Sequence, residues 1–413
     1  MREPFALDLA GQVDVVPAGE QEELAEDVGE LLVEGVADLV GGLALGAGAA
    51  GVLQAGLGQL AHFLLQLEQE PVRIRSNPSA SPYRTDNFSS RSDSSAISIR
   101  LPNQPPPTQN QWVDAVAWLL ESDEPAVRGM ARRDLLGEPH GEDVLAGAIV
   151  QALLTDACAD KRAYRKWTGA HWRIVALAEL EAPAGEPRAV GAAEYDLEEV
   201  MRSLKYGVSV VDGLVRRCGS IEGNTLAACS RLGMAGDSRV RQLAEGLLEW
   251  QWPDGGWNCD RTASGRRSSF HETHAAAWGL HEYHEAIGDT AARDAAVRAG
   301  ELFLEHRVFR SLSTGEPINK RWLRPSYPPY WHYDILQALL VLSRLGLVQD
   351  ERAGDALDEL ERRRRPDGRW HAGQQWWNPP GSDRMPEAVD WGRNGPNEMI
   401  TLNALRVLKA AGR

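Results

Sequence analysis

From residue 111 to residue 413 the sequence predicts an all-α fold, an α/α toroid in which five or six helical hairpins close into a barrel. Two observations carry that expectation. The first is a turn that occurs twice. Gln251-Trp-Pro-Asp-Gly255-Gly256-Trp257 stops a helix at Pro253, reverses it at Asp254-Gly255-Gly256 and folds Trp257 back underneath. Arg364-Arg-Pro366-Asp-Gly368-Arg-Trp370 repeats the turn 113 residues later, with Arg364 where the glutamine stood. The glutamine is placed to bridge the helix end and the turn, and the tryptophan to cover the end of a helix pair. The second observation is a period. Five apolar helical segments end at Leu180-Glu181, Leu232-Gly233, Ile287-Gly288, Leu345-Gly346 and Ala411-Gly412, at intervals of 52, 55, 58 and 66 residues. Each interval suits one two-helix hairpin with its connection.

Taken in order, residues 1–110 differ from the rest. Residues 1–70 hold thirteen acidic residues and one basic residue, Arg2, and residues 71–109 are rich in Ser, Arg, Asn and Pro. Leu39 to Leu67 has no Asp, Glu, Lys or Arg and is long enough to span a bilayer, but its seven glycines make it a poor span. A low-order extension is expected here, or residues upstream of the true start. All fourteen tryptophans lie from Trp112 onward. Trp112–Leu120 has helical apolar spacing, and Pro125 suits the first turn of the next helix. The charged stretches Arg239–Trp250, Ala291–His306 and Glu351–Arg364 read as outer helices, and the more apolar segments between them as inner ones. Strand signals are scarce.

The net charge of −15 resides mostly in the first seventy residues, so no basic field argues for nucleic acid. Membrane contact is expected to be peripheral at most. Four cysteines without scaffold spacing read as reduced thiols, hence a cytoplasmic protein.

The twofold turn resembles the QW repeat of squalene–hopene cyclases. With Lys166-Trp-Thr-Gly-Ala-His171-Trp172, Ser268-Ser-Phe-His271-Glu272-Thr, Tyr330-Trp-His332-Tyr-Asp334 and Pro396-Asn-Glu-Met399, the region 111–413 resembles the terpenoid cyclase/protein prenyltransferase superfamily, and within it a bacterial squalene-cyclase-like or prenyltransferase-like branch. The resemblance implies a toroid whose central cavity takes an isoprenoid or other long apolar substrate. Two hallmarks are missing: the Asp-x-Asp-Asp motif that protonates alkenes, and an Asp-Asp-x-x-Asp box for magnesium.

Polar clusters recur where inner helices are expected to begin: His171-Trp172, Glu222-Gly-Asn224, His271-Glu272, His332-Tyr333-Asp334 and Asn397-Glu398. In a toroid these starts face one mouth of the cavity, while singly each residue reads as an ordinary cap. Asp334, one turn from an apolar run, is the candidate general acid if buried, with His332, His271 and Glu272 to share its proton. The bland alternative is an ion pair with Arg324 or Arg173. Glu272 and Asp334 as a carboxylate pair would suit glycoside cleavage. His171, Trp172, Asn224, Tyr330, Trp331, Tyr333, Trp376, Trp377 and Asn397 are the candidate substrate-binding residues, and Gln374–Trp391 the candidate lid. The prenyltransferase resemblance implies a zinc site, with Cys259, His271 and Glu272 or His332 as its candidate ligands. Acid-initiated isomerisation or cyclisation, prenyl transfer, and binding of a ligand or protein partner without catalysis are the open readings.

Overall fold

The computed structural model describes residues 109–413, which form twelve α-helices and one two-stranded sheet. The extension expected over residues 1–110, including the apolar run from Leu39 to Leu67, lies outside the described residues apart from its last two positions. Among the described residues no helix is long and apolar enough to cross a membrane.

The helices come in consecutive pairs: α1 (Gln109–Leu120) and α2 (Pro125–Ala131), α3 (Ala148–Leu154) and α4 (Ala170–Glu179), α5 (Pro187–Leu204) and α6 (Gly219–Arg231), α7 (Ser238–Trp250) and α8 (Phe270–Ile287), α9 (Thr290–Glu305) and α10 (Ile335–Arg344), α11 (Gly354–Arg362) and α12 (Glu398–Ala410). Their starts are fixed by side chains that accept from otherwise unpaired backbone N–H groups: Glu186 for α5, Asp237 for α7, Asp289 for α9, Asp334 for α10 and Asn397 for α12. Pro125 opens α2 as expected.

The five expected helix stops share one backbone device. Gly233, Gly288, Gly346 and Gly412 have φ of 89°, 77°, 73° and 75°, the left-handed conformation that glycine adopts without a Cβ clash. At the first stop the same conformation is taken by Glu181, φ 57°. A glutamate there is strained, so its side chain must return something. It accepts two hydrogen bonds from Arg133, at 2.6 and 2.7 Å, and faces Arg231 at 3.4 Å.

The even-numbered helices form a succession of neighbours. α4 packs on α6, α6 on α8, α8 on α10, and α10 on α12; α12 also packs on α1 and α2. The odd-numbered α5, α7, α9 and α11 lie against this series, each on the helix that precedes it. The closest approach is between α6 and α8. A Cβ on Gly223 would stand 2.4 Å from the backbone of Ala275 and Ala276, so only glycine permits it.

Both copies of the turn hold their tryptophan by the same bonds. Trp257 Nε1 donates to Leu247 O and Trp370 Nε1 to Leu360 O, at 3.0 and 2.8 Å. Their backbone N–H groups donate to Thr273 Oγ1 and Thr401 Oγ1. Gln251 does bridge the helix end and the turn: its Nε2 donates to Gly255 O and Ala295 O, and its Oε1 accepts from Arg298. In the second copy the Arg364 guanidinium lies over the Trp370 ring at 4.8 Å instead.

The sheet is a departure from the sequence expectation. β1 (Ser209–Val211) and β2 (Leu214–Arg216) pair antiparallel through the tight turn Asp212-Gly213, both at positive φ. Val-Val-Asp-Gly-Leu-Val is a hairpin signal that the helical pattern around it obscured. The hairpin holds the first staple turn, since Trp252 Nε1 donates to Val215 O and Arg216 stacks on the Trp252 ring.

Candidate functional site

The five polar clusters do lie at helix starts, but most of their polar atoms are occupied in joining one helix pair to the next. Asp334 is fully buried and caps α10; it accepts from Leu336 N, Gln337 N, Ser326 N and Ser326 Oγ. Its partners among the described residues are thus these donors rather than Arg324 or Arg173, and Arg173 is spent on the carbonyls of Thr168, Ala152, Leu153 and Thr155. Burial pushes the Asp334 carboxyl up to about 6, against the pull of its four donors. Asn397 caps α12 through Ile400 N and donates to Trp391 O. His171 is fully buried, with Nδ1 3.2 Å from both carboxylate oxygens of Asp196, which also accepts from Thr225. That triad ties α4, α5 and α6 together. His271 Nδ1 accepts from Tyr333 N at 2.8 Å and so ties α8 to the start of α10. Glu272 accepts from Ser220 N and ties α8 to α6.

The aromatic candidates form a packed stack. The His332 imidazole is sandwiched between Trp331 and Trp376, with ring centroids 3.9 and 3.7 Å away. Burial holds it neutral, well below the usual histidine range, with His271 adding to the effect. Tyr330 stacks on Trp167 at 3.7 Å, Trp167 meets Trp172 edge-on, and Tyr333 donates its hydroxyl to Val308 O. The candidate lid, residues 374–391, is pinned on this face: Trp376 Nε1 donates to Ser326 Oγ, Trp377 Nε1 to Tyr327 O, and Trp167 Nε1 to Trp376 O. Within the lid, Glu387 was not foreseen. It is buried, accepts from the Tyr330 hydroxyl, and is pushed up to about 7 by burial.

A cavity of about 850 Å³ opens at the other end of the even-numbered helices, near their C-termini. It is lined by Arg133, Arg231, Arg344, Arg406 and Lys409 and by Asp134, Glu179, Glu181, Glu282 and Glu285. Most of these charges are paired. Arg406 binds Asp134, Arg133 binds Glu181, and Glu282 accepts from Trp278 Nε1 at 2.8 Å and Arg231 at 3.3 Å. Glu179 and Arg344 also line a small deeper pocket, together with Asn224, His274, Trp278 and Tyr330. His274 is buried. Asn224 Nδ2 in the deeper pocket and Ser230 Oγ in the cavity have no hydrogen-bond partner among the described residues.

The carboxylates of this cavity are driven apart. Burial raises Glu179, although Arg344 and the Tyr327 hydroxyl oppose it. Burial also pushes on Glu282, but there Arg231 and Arg344 prevail and hold it below the usual carboxylate range. Such a split is a common arrangement for an acid and a base. A faint sequence signal for the cavity existed, because Glu179, Arg231 and Arg344 each immediately precede the leucine of a helix stop.

The candidate zinc ligands do not come together as expected. Among the described residues, one group of three or more thiol, imidazole or carboxylate donors lies within metal-binding reach: Cys218, Cys259 and Glu272, with ligand atoms all within 4.8 Å of one another. Cys259 and Glu272 belong to it; His271 and His332 do not. Cys218 at the N-cap of α6 was missed because it lies 41 residues from Cys259, with no tight motif.

No protein-family model, curated protein or solved structure significantly matches this chain.

Proposed function

We propose that the chain is an α/α toroid of six helical hairpins that binds a small polar ligand, one bearing charges or hydroxyls, in the cavity at the C-terminal ends of its inner helices. Closure into a toroid is supported by the order of packing, in which α4, α6, α8, α10 and α12 follow one another and α12 returns to the first pair. The observation that carries the ligand reading is the lining of the 850 Å³ cavity, five cationic and five anionic side chains with Glu179 and Arg344 at its floor. Burying a hydrocarbon there would strip water from charged groups and give them nothing in exchange. A polar ligand replaces those water contacts. The isoprenoid substrate implied by the family resemblance is better suited to the aromatic end, where Trp331, His332 and Trp376 are already stacked on one another. Four free thiols fit the reducing cytoplasm as its location.

A second reading, cleavage of a glycoside or similar acetal, is favoured by the opposed carboxyls. Glu179 would serve as the acid and Glu282 as the base, in place of Glu272 and Asp334, which are engaged as helix ties.

Thermal shifts with a matched set of probes test the binding reading: a neutral oligosaccharide, a zwitterionic dipeptide, a prenyl diphosphate and the corresponding prenyl alcohol. A polar member raises the melting temperature, and Arg344→Met abolishes the rise. A prenyl alcohol that stabilises wild type and Arg344→Met equally would overturn the reading. Release of reducing ends from the oligosaccharide, lost in Glu179→Gln, would establish the second one.

A further inference from the structure

We infer that Cys218, Cys259 and Glu272 form a binding site for a divalent transition metal, zinc by its ligand chemistry, that clasps the starts of α6 and α8 together. The site lies apart from the charged cavity and does not depend on what that cavity binds. Its donors come from three separate segments: the N-cap of α6, the loop after the first staple turn, and the first turn of α8. Their ligand atoms are within 4.8 Å of one another, and Cys259 Sγ is 3.1 Å from Glu272 Oε1. Sulfur atoms on a shared tetrahedral zinc stand about 3.8 Å apart, so small side-chain rotations bring this group to bonding geometry.

The backbone beneath the donors is already fixed. Arg217 N donates to Asn258 O at 3.1 Å, which locks together the residues just before Cys218 and Cys259. Ser220 N donates to Glu272 Oε2 at 2.7 Å, leaving Oε1 turned to the thiols. Gly219 lets the segments meet, since a Cβ there would lie 3.0 Å from Trp257 Cβ and 3.2 Å from Glu272 O. A further buried carboxylate lies nearby on α6. Glu222, one helical turn after Cys218 and 1% exposed, has a buried Oε2 without a partner among the described residues. Its Oε1 accepts from Arg217 and it stands outside the group of three, so the fourth position is left to water. Two soft thiolates with carboxylate select zinc over magnesium or calcium, which prefer all-oxygen sites. A disulfide would have no use for the carboxylate placed on the Cys259 sulfur.

The test is metal content of the full-length chain, purified without chelator or histidine tag, followed by exchange with cobalt. The expected result is about one zinc per chain, and in the cobalt form a thiolate-to-cobalt charge-transfer band in the near ultraviolet. Cys218→Ser and Cys259→Ser each bind zinc at least on the order of tenfold more weakly and show a weakened band. Cys158→Ser, an exposed thiol outside the group, and His271→Asn retain both. Circular dichroism confirms that each variant is folded. A wild-type chain that takes up no zinc or cobalt, whether its thiols are free or joined in a disulfide, overturns the inference. So does a charge-transfer band of undiminished intensity in Cys218→Ser.

Discussion

Glu181 shows how a single residue can hold a conformation that its neighbours in the repeat assign to glycine. A side chain in the left-handed region costs roughly 1–2 kcal/mol, and partly exposed ion pairs return about 0–1 kcal/mol each. Glu181→Gly removes both the strain and the pairs with Arg133 and Arg231, so the two effects offset and stability changes by less than about 1 kcal/mol. Glu181→Ala keeps the strain and loses the pairs, and is expected to be the less stable variant in urea denaturation. The reverse order would mean that the backbone at this stop carries no strain.

Glu387 gives a pH prediction at the same scale. Burial raises its carboxyl from 4.5 to about 7, so between those values the folded protein holds a proton that the unfolded chain has released. Its contribution to stability is therefore full below pH 4.5 and declines as pH rises through 7. Glu387→Gln cannot ionise, and the decline between pH 5 and pH 8 should be shallower by on the order of 1–3 kcal/mol. Equal slopes for wild type and variant in denaturation at the two pH values would contradict this.

Among the elements, the two staple turns share their tryptophan and threonine bonds but differ at Gln251 and Arg364. Gln251 makes bonds to two carbonyls and accepts from Arg298, whereas Arg364 Nε and Nη1 lack partners among the described residues. Gln251→Ala should cost about 1–3 kcal/mol, and Arg364→Ala clearly less. Equal losses would mean that the glutamine bridge adds nothing beyond the tryptophan. At the α6–α8 crossing, Gly223→Ala forces backbone apart and should cost about 3 kcal/mol or more. A neutral outcome there would show that the two helices separate freely.

Element starts and stops were legible because they are local. Pro125, Asp334 and the Leu-Gly stops act through neighbouring backbone, and sequence spacing records that directly. What a polar residue does after the helix is placed is decided by the neighbouring hairpin, which spacing does not record. Asp334 reads as a buried acid from its sequence, yet its lone pairs are taken by Ser326 and the helix end. Cys218 carries no signal until folding brings it to Cys259 and Glu272.

At the scale of the whole molecule, the candidate cavity lies at the C-terminal ends of the even-numbered helices rather than at their N-terminal ends. The N-terminal end is rich in histidine and tryptophan, but its rings stack on each other and its carboxylates tie hairpins together. The C-terminal end is open and charged, with Glu179 and Arg344 shared between the cavity and its floor. The repeat that builds the fold also builds this rim, since each helix stop delivers its preceding residue to a common opening. The most direct test is a crystal structure of the full-length chain bound to whichever probe raises its melting temperature. The expected result is α12 packed on α2 and the ligand seated between Glu179 and Arg344. A ligand seated instead among Trp331, His332 and Trp376, with those rings parted around it, would contradict it.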